Sequence, residues 1–105
     1  MEKRAHKRVD AIIAARFSGD SAYHSNSLGT IMNISENGMR IESCNCLKTN
    51  SNAELSIYAN EQVLHVPFKV IRIIKDSTFY SAMGIEVMQL TPDYLEFVNT
   101  LKPSQ

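Results

Sequence analysis

Two short groups of residues in this chain carry side chains suited to recognising an anion. Arg4 and Arg8 stand four apart in Arg4-Ala-His-Lys-Arg8, and Asn33, Ser35 and Gly38 punctuate Asn33-Ile-Ser-Glu-Asn-Gly38. A guanidinium fork bonds phosphate oxygens in pairs or the O6/N7 edge of a guanine, and its flat face stacks on a base. Two such forks close together can serve both features of one ligand. Residues two apart in a strand share a face, so Asn33 and Ser35 are expected to turn their donors and acceptors toward the same bound molecule. Glycine at 38 leaves the backbone free to turn where a side chain would obstruct approach. Losing a hydrogen bond to a charged group costs about 1.5–3 kcal/mol, so each arginine is expected to be worth roughly ten- to 150-fold in affinity.

Each group has a plainer explanation when taken alone. Basic residues near a terminus are usually a solvated arm. Asn-x-Ser ahead of Asn-Gly is ordinary hairpin chemistry, the side chains satisfying turn backbone. It is the conjunction of the two that favours binding. Lys3 beside Arg4 is either solvated charge or a further contact, and His6 is a spacer. Cys44 and Cys46 lie two apart, at the edge of bridging distance in an extended chain, so a structural disulfide is not expected. A metal site would need two more ligands, and His6, His24 and His65 have no zinc-like spacing. There is no P-loop, no Gly-x-Ser-x-Gly, no His-Glu-x-x-His and no dinucleotide-binding glycine run, so neither an enzyme, a metal nor a cofactor is expected.

These groups need elements to hold them, and the chain punctuates itself as strands. The apolar run from Val9 to Phe17 predicts a first strand, although its alanines would also suit a helix. Residues 18–27 are rich in Ser, Asn, Gly and Asp and predict a loop. A second strand is expected from Leu28 to Ile34, with Ile31, Asn33 and Ser35 on one face and Thr30, Met32 and Ile34 on the other. Asn37-Gly38 is the strongest hairpin signal, because the favoured turn needs positive φ at both central residues. Further strands are expected at Met39–Ser43, Ala53–Ala59, Gln62–Lys75 and Thr78–Val87, with Pro67 marking a bulge, bend or edge. Thr91 as cap, Pro92 at the first helical position and Asp93 in the first turn then start a helix. Tyr94, Phe97, Val98 and Leu101 form its apolar stripe, expected to be core. Short antiparallel strands this regularly punctuated suggest a barrel or sandwich.

The bulk properties set limits on partners. The chain has 105 residues, enough for one domain, with 11 basic and 11 acidic side chains and no net charge. A nucleic-acid-binding domain usually carries a basic excess, so polymeric DNA or RNA is disfavoured. Residues 1–16 nevertheless hold five basic against two acidic residues, a local excess of three. No apolar stretch suits a membrane span, and the basic start lacks the apolar core of a secretion signal, so a cytoplasmic, soluble protein is expected.

The two groups together resemble the signatures of the PilZ family, an Arg-x-x-x-Arg arm and an [Asp/Asn]-x-Ser-x-x-Gly element. Their order is similar too: the arm directly precedes the first strand, the second element follows 25 residues on, and Gly84, Ile85 and Val87 come late in the barrel. The resemblance covers nearly the whole chain, with asparagine at 33 the less usual of the two residues accepted there. It implies an all-β fold, a six-stranded antiparallel split barrel (residues 9–88) with one C-terminal helix (91–101) and a basic arm (1–8). It implies a ligand, cyclic diguanylate, held by Arg4, Arg8, Asn33, Ser35, Gly38 and, in one variant of the site, Lys3. The arm is expected to order over the barrel when ligand arrives and to signal to a downstream protein by contact, as a monomer or weak homodimer. Two other readings stay open: a PilZ-fold adaptor that binds no nucleotide, and a small single-stranded nucleic-acid barrel, which would lose binding steeply with salt.

Overall fold

A computed structural model describes residues 9–19, 26–59, 61–75 and 81–101. Six strands, β1 (Val9–Gly19), β2 (Ser27–Ile34), β3 (Gly38–Ser43), β4 (Asn52–Ala59), β5 (Gln62–Lys75) and β6 (Ser81–Val87), precede one helix, α1 (Pro92–Thr100). The strands close into an antiparallel barrel in the order β1-β2-β3-β6-β5-β4. The expected fold class and its helix are therefore observed.

Alternation builds the interior. Met39, Ile41 and Ser43 of β3 are buried while Gly38, Arg40 and Glu42 between them are half-buried on the outside. Leu55 and Ile57 of β4, Val66, Phe68 and Val70 of β5 and Met83 and Ile85 of β6 fill the same core. Phe17 and Phe68 meet edge to face at its centre, with ring centroids 6.4 Å apart. The alanine-rich segment of β1 is a strand because its inward positions, Ala15 and Phe17, complete this core. Ile12, in the same run, is 81% exposed. Plain alternation supplies the reason, since Ile12 falls on the outward side with Asp10, Ala14 and Arg16.

The closure is partial on one seam. β1 pairs with β4 only over Arg16–Gly19 opposite Ser56–Ala53, which leaves the first half of β1 without β4 partners. Ser18 and Gly19, expected in the following loop, belong to this ladder.

One local expectation is corrected, and of the alternatives for Pro67 the edge of a ladder is the one observed. The hairpin between β2 and β3 forms, but without the primed turn: among the described residues only Asn50 (φ 71°) and Glu61 (φ 64°) have positive φ. Pro67 makes no bulge; the shift in β5 lies between Val70 and Arg72. Its carbonyl accepts from Met88 N (2.8 Å) just past the last β5–β6 pair, Phe68–Val87, so its missing N–H costs no ladder bond.

α1 begins as its sequence dictates. Thr91 Oγ1 accepts from Tyr94 N at 3.1 Å, Pro92 opens the first turn and Asp93 follows it. Tyr94 and Val98 are buried on the barrel, and Leu95, Phe97 and Leu101 pack beside them. No helix among the described residues is long and apolar enough to cross a membrane.

Candidate functional site

The outer face of the barrel carries one row of residues that runs across five strands. Asp10 of β1 pairs with Asn33 of β2, Asn33 with Arg40 of β3, Arg40 with Gly84 of β6, and Gly84 with Arg72 of β5. Two bulges besides the register shift in β1 set this alignment. Met32 is the extra residue where Ile31–Ile41 is followed by Asn33–Arg40, and Ile71 is the extra residue where Val70–Ile85 is followed by Arg72–Gly84. The first insertion also overturns the alternation expected for β2. Ile31 and Ile34, placed on opposite faces from the sequence, are both fully buried, while Asn33 lies outside opposite Arg40.

Gly84 is the bare position in the row. A Cβ there would stand 3.3 Å from Arg72 Cγ and 3.4 Å from its Nε, so the Arg72 side chain lies across the glycine. On one side of the Asn33–Arg40 pair is a depression of about 240 Å³, lined by those two with Ile71, Arg72, Gly84 and Ile85. On the other is a more open one of about 640 Å³, bordered by Asp10, Ile12, Met32 and Glu42. The larger falls within the usual small-molecule range of about 300–1,000 Å³. Arg40 also meets Glu42, Nη2 to Oε2 at 3.9 Å, a part-exposed pair that tethers the guanidinium loosely.

The turn between β2 and β3 adjoins the row. Ser35 N donates to Gly38 O at 2.9 Å, and Ser35 Oγ lies 3.2 Å from the same carbonyl and 3.4 Å from Asn37 Oδ1. Ser35 is only 5% exposed, so its hydroxyl faces the turn and not the side chain of Asn33 across open surface. Gly38 answers a different need from the one expected. Its φ is not positive, and a Cβ would meet Ile85 O at 3.0 Å, so glycine allows β3 to approach β6 closely.

Among the described residues, no group of three or more His, Cys, Asp or Glu side chains is placed to hold a metal ion. Both cysteines are free. Burial pushes the Cys46 thiol up, and its Sγ donates to Ser43 O at 3.6 Å. It is a protonated, structural thiol.

The family model of the PilZ domain matches residues 2–101. The chain belongs to the PilZ domain family. Solved structures agree at the level of fold. The Bacillus subtilis inhibitor of motility MotI/DgrA superposes with a TM-score of 0.75 at 16% identity, over 96% of this chain and 50% of that one. The Escherichia coli YcgR PilZ domain, solved with c-di-GMP, gives 0.70 at 13% identity over 95% and 92%. Klebsiella pneumoniae MrkH in its apo state gives 0.66 at 17% identity over 95% and 49%. This PilZ domain thus spans about half the length of MotI/DgrA and MrkH and nearly all of the isolated YcgR domain. No curated protein matches it.

Of the site residues expected from sequence, Asn33, Ser35 and Gly38 lie together at the β2–β3 end of the barrel. Lys3, Arg4 and Arg8, and with them the spacer His6, lie outside the described residues. Sequence reasoning missed Arg40 and Arg72. Arg40 was within reach, since it stands between the inward residues Met39 and Ile41. Arg72 was not, because its place beside Gly84 depends on a bulge that no local signal announces.

Proposed function

We propose that this PilZ domain is a receptor for cyclic diguanylate that signals by contact and catalyses nothing. The observation that carries the reading is the pairing at the start of β1. Val9 stands opposite Ile34 and Asp10 opposite Asn33, so the chain that bears Arg8 enters the barrel beside the second motif. The second motif, 25 residues on from Arg8 in sequence, is thereby the part of the barrel next to which the described chain begins, which supports a shared site. Arg4 is five residues from Val9, an extended reach of at most about 18 Å. Arg4 and Arg8, with Lys3 as a further contact, supply forks for phosphate and guanine, and Asn33 offers an amide from the barrel. Arg40 and Arg72 extend the row with two more cations. Gly38 lets β3 close against β6 beside the site, and Ser35 holds the turn that positions Asn33.

The family membership and the YcgR PilZ domain solved with c-di-GMP support this ligand over a polymer. Ligand orders residues 1–8 over the barrel, and the surface so formed is read by a downstream protein in the cytoplasm. The domain needs no cofactor and acts as a monomer or weak homodimer.

Calorimetric titration with cyclic diguanylate, with GTP and cyclic diadenylate as controls, is the test. Selective binding of cyclic diguanylate is expected, and replacing Arg4 and Arg8 together by alanine should abolish it with the far-UV circular dichroism unchanged. No heat and no thermal shift at tens of micromolar ligand would leave the nucleotide-free adaptor as the better reading.

A further inference from the structure

The Tyr94 side chain has a duty that core packing does not explain. It is 1% exposed, yet its hydroxyl donates to Ser35 O at 2.7 Å across 59 residues of sequence. A buried phenol needs an acceptor, and of all carbonyls it uses one in the turn that carries the second motif. The same turn is tied to the C-terminal segment a second time, where Val87 N donates to Asn37 O at 3.0 Å. Ser35 N and Oγ meanwhile close the turn onto Gly38 O. The turn therefore hangs between β6 and α1 by two hydrogen bonds, and moving it strains or breaks one of them.

We propose that Tyr94 is a positioning residue for the Ser35–Gly38 turn and that through it occupancy of the candidate site is coupled to the docking of α1. The inference rests on the function proposed above. A ligand that favours the bound geometry of the turn favours the Tyr94–Ser35 bond, and so favours docked α1. Reciprocity requires that docked α1 favour ligand to the same degree. The exposed side of α1, with Asp93, Glu96 and Asn99, becomes a ligand-responsive surface in addition to the arm.

The experiment compares Tyr94→Phe, which keeps the ring and removes the hydroxyl, with Val98→Ala, which weakens helix packing without touching the turn. Titration with cyclic diguanylate is expected to give about fivefold weaker binding for Tyr94→Phe and a smaller loss, below about twofold, for Val98→Ala. Saturating ligand should slow amide exchange at residues 95–101 in the wild type and in Val98→Ala, and not in Tyr94→Phe. Wild-type affinity together with wild-type slowing in Tyr94→Phe would overturn the coupling. If the wild-type protein binds no cyclic diguanylate, the proposed function fails and the positioning role is still decided without ligand. Exchange at Asn37, Gly38 and Met39 should then rise more in Tyr94→Phe than in Val98→Ala, and equal or smaller rises would refute it.

Discussion

At the scale of single residues, the row Asp10–Asn33–Arg40–Gly84–Arg72 combines cations with a gap, and the gap is informative. Gly84 has no positive φ and so needs no glycine for its backbone. Its nearest obstacle to a Cβ is the flexible Arg72 side chain, 3.3 Å away, to which the three nearest atoms all belong. Gly84→Ala is therefore expected to leave stability within about 1 kcal/mol, since loss of chain entropy in the unfolded state offsets mild crowding. It should weaken cyclic diguanylate binding about tenfold by displacing Arg72, as should Arg72→Ala. Thermal melting and titration on the same samples separate the two effects; unaltered affinity in both variants would remove Arg72 from the site. Ser35 was legible as a polar residue in a turn. Its burial was not, because that follows from the turn folding under α1.

At the scale of elements, bulges decide which side chains face which way. The inserted residue in β2 turns Ile31 and Ile34 both inward and delivers Asn33 to the outer row. The inserted residue in β5 brings Arg72 beside Gly84. Strand positions were readable from punctuation, whereas a bulge is chosen by how a strand fits its neighbours and leaves no pattern in one segment. Close approach is equally non-local. An added Cβ at Gly29 would meet Ile41 Cγ2 at 2.8 Å and Phe17 at 3.1 Å, in the middle of the packed core. Gly29→Ala is expected to cost about 1–3 kcal/mol through overpacking, read from urea unfolding. A change below about 0.5 kcal/mol would show that β2 and β3 are free to separate there.

At the scale of the molecule, α1 closes the polar turn as well as the core, and this makes stability depend on pH. Burial first, and then the Glu36 carboxylate, push the Tyr94 phenol well above its ordinary value of 10.0. Folded protein keeps that proton where unfolded chain has lost it. The stability Tyr94 contributes is therefore whole below about pH 10 and is lost as the pH rises past it. Urea unfolding between about pH 8 and about pH 11 should show a steeper alkaline decline for the wild type than for Tyr94→Phe. Parallel declines would mean that the phenol is not held in the folded state as described.

The sequence by itself determined the all-β class, the six strands, the capped helix and the two polar groups that carry the family's signature. These rest on short-range physics: alternation, turn-forming residues, a threonine cap and a proline. Tertiary structure alone decided that Arg40 and Arg72 flank a bare glycine, that Ser35 is buried, and that Tyr94 reaches back to hold it. Each of those depends on strand register or on contacts between segments far apart in the chain. Register is settled only when the whole barrel closes around Phe17 and Phe68, so no single window of residues contains it.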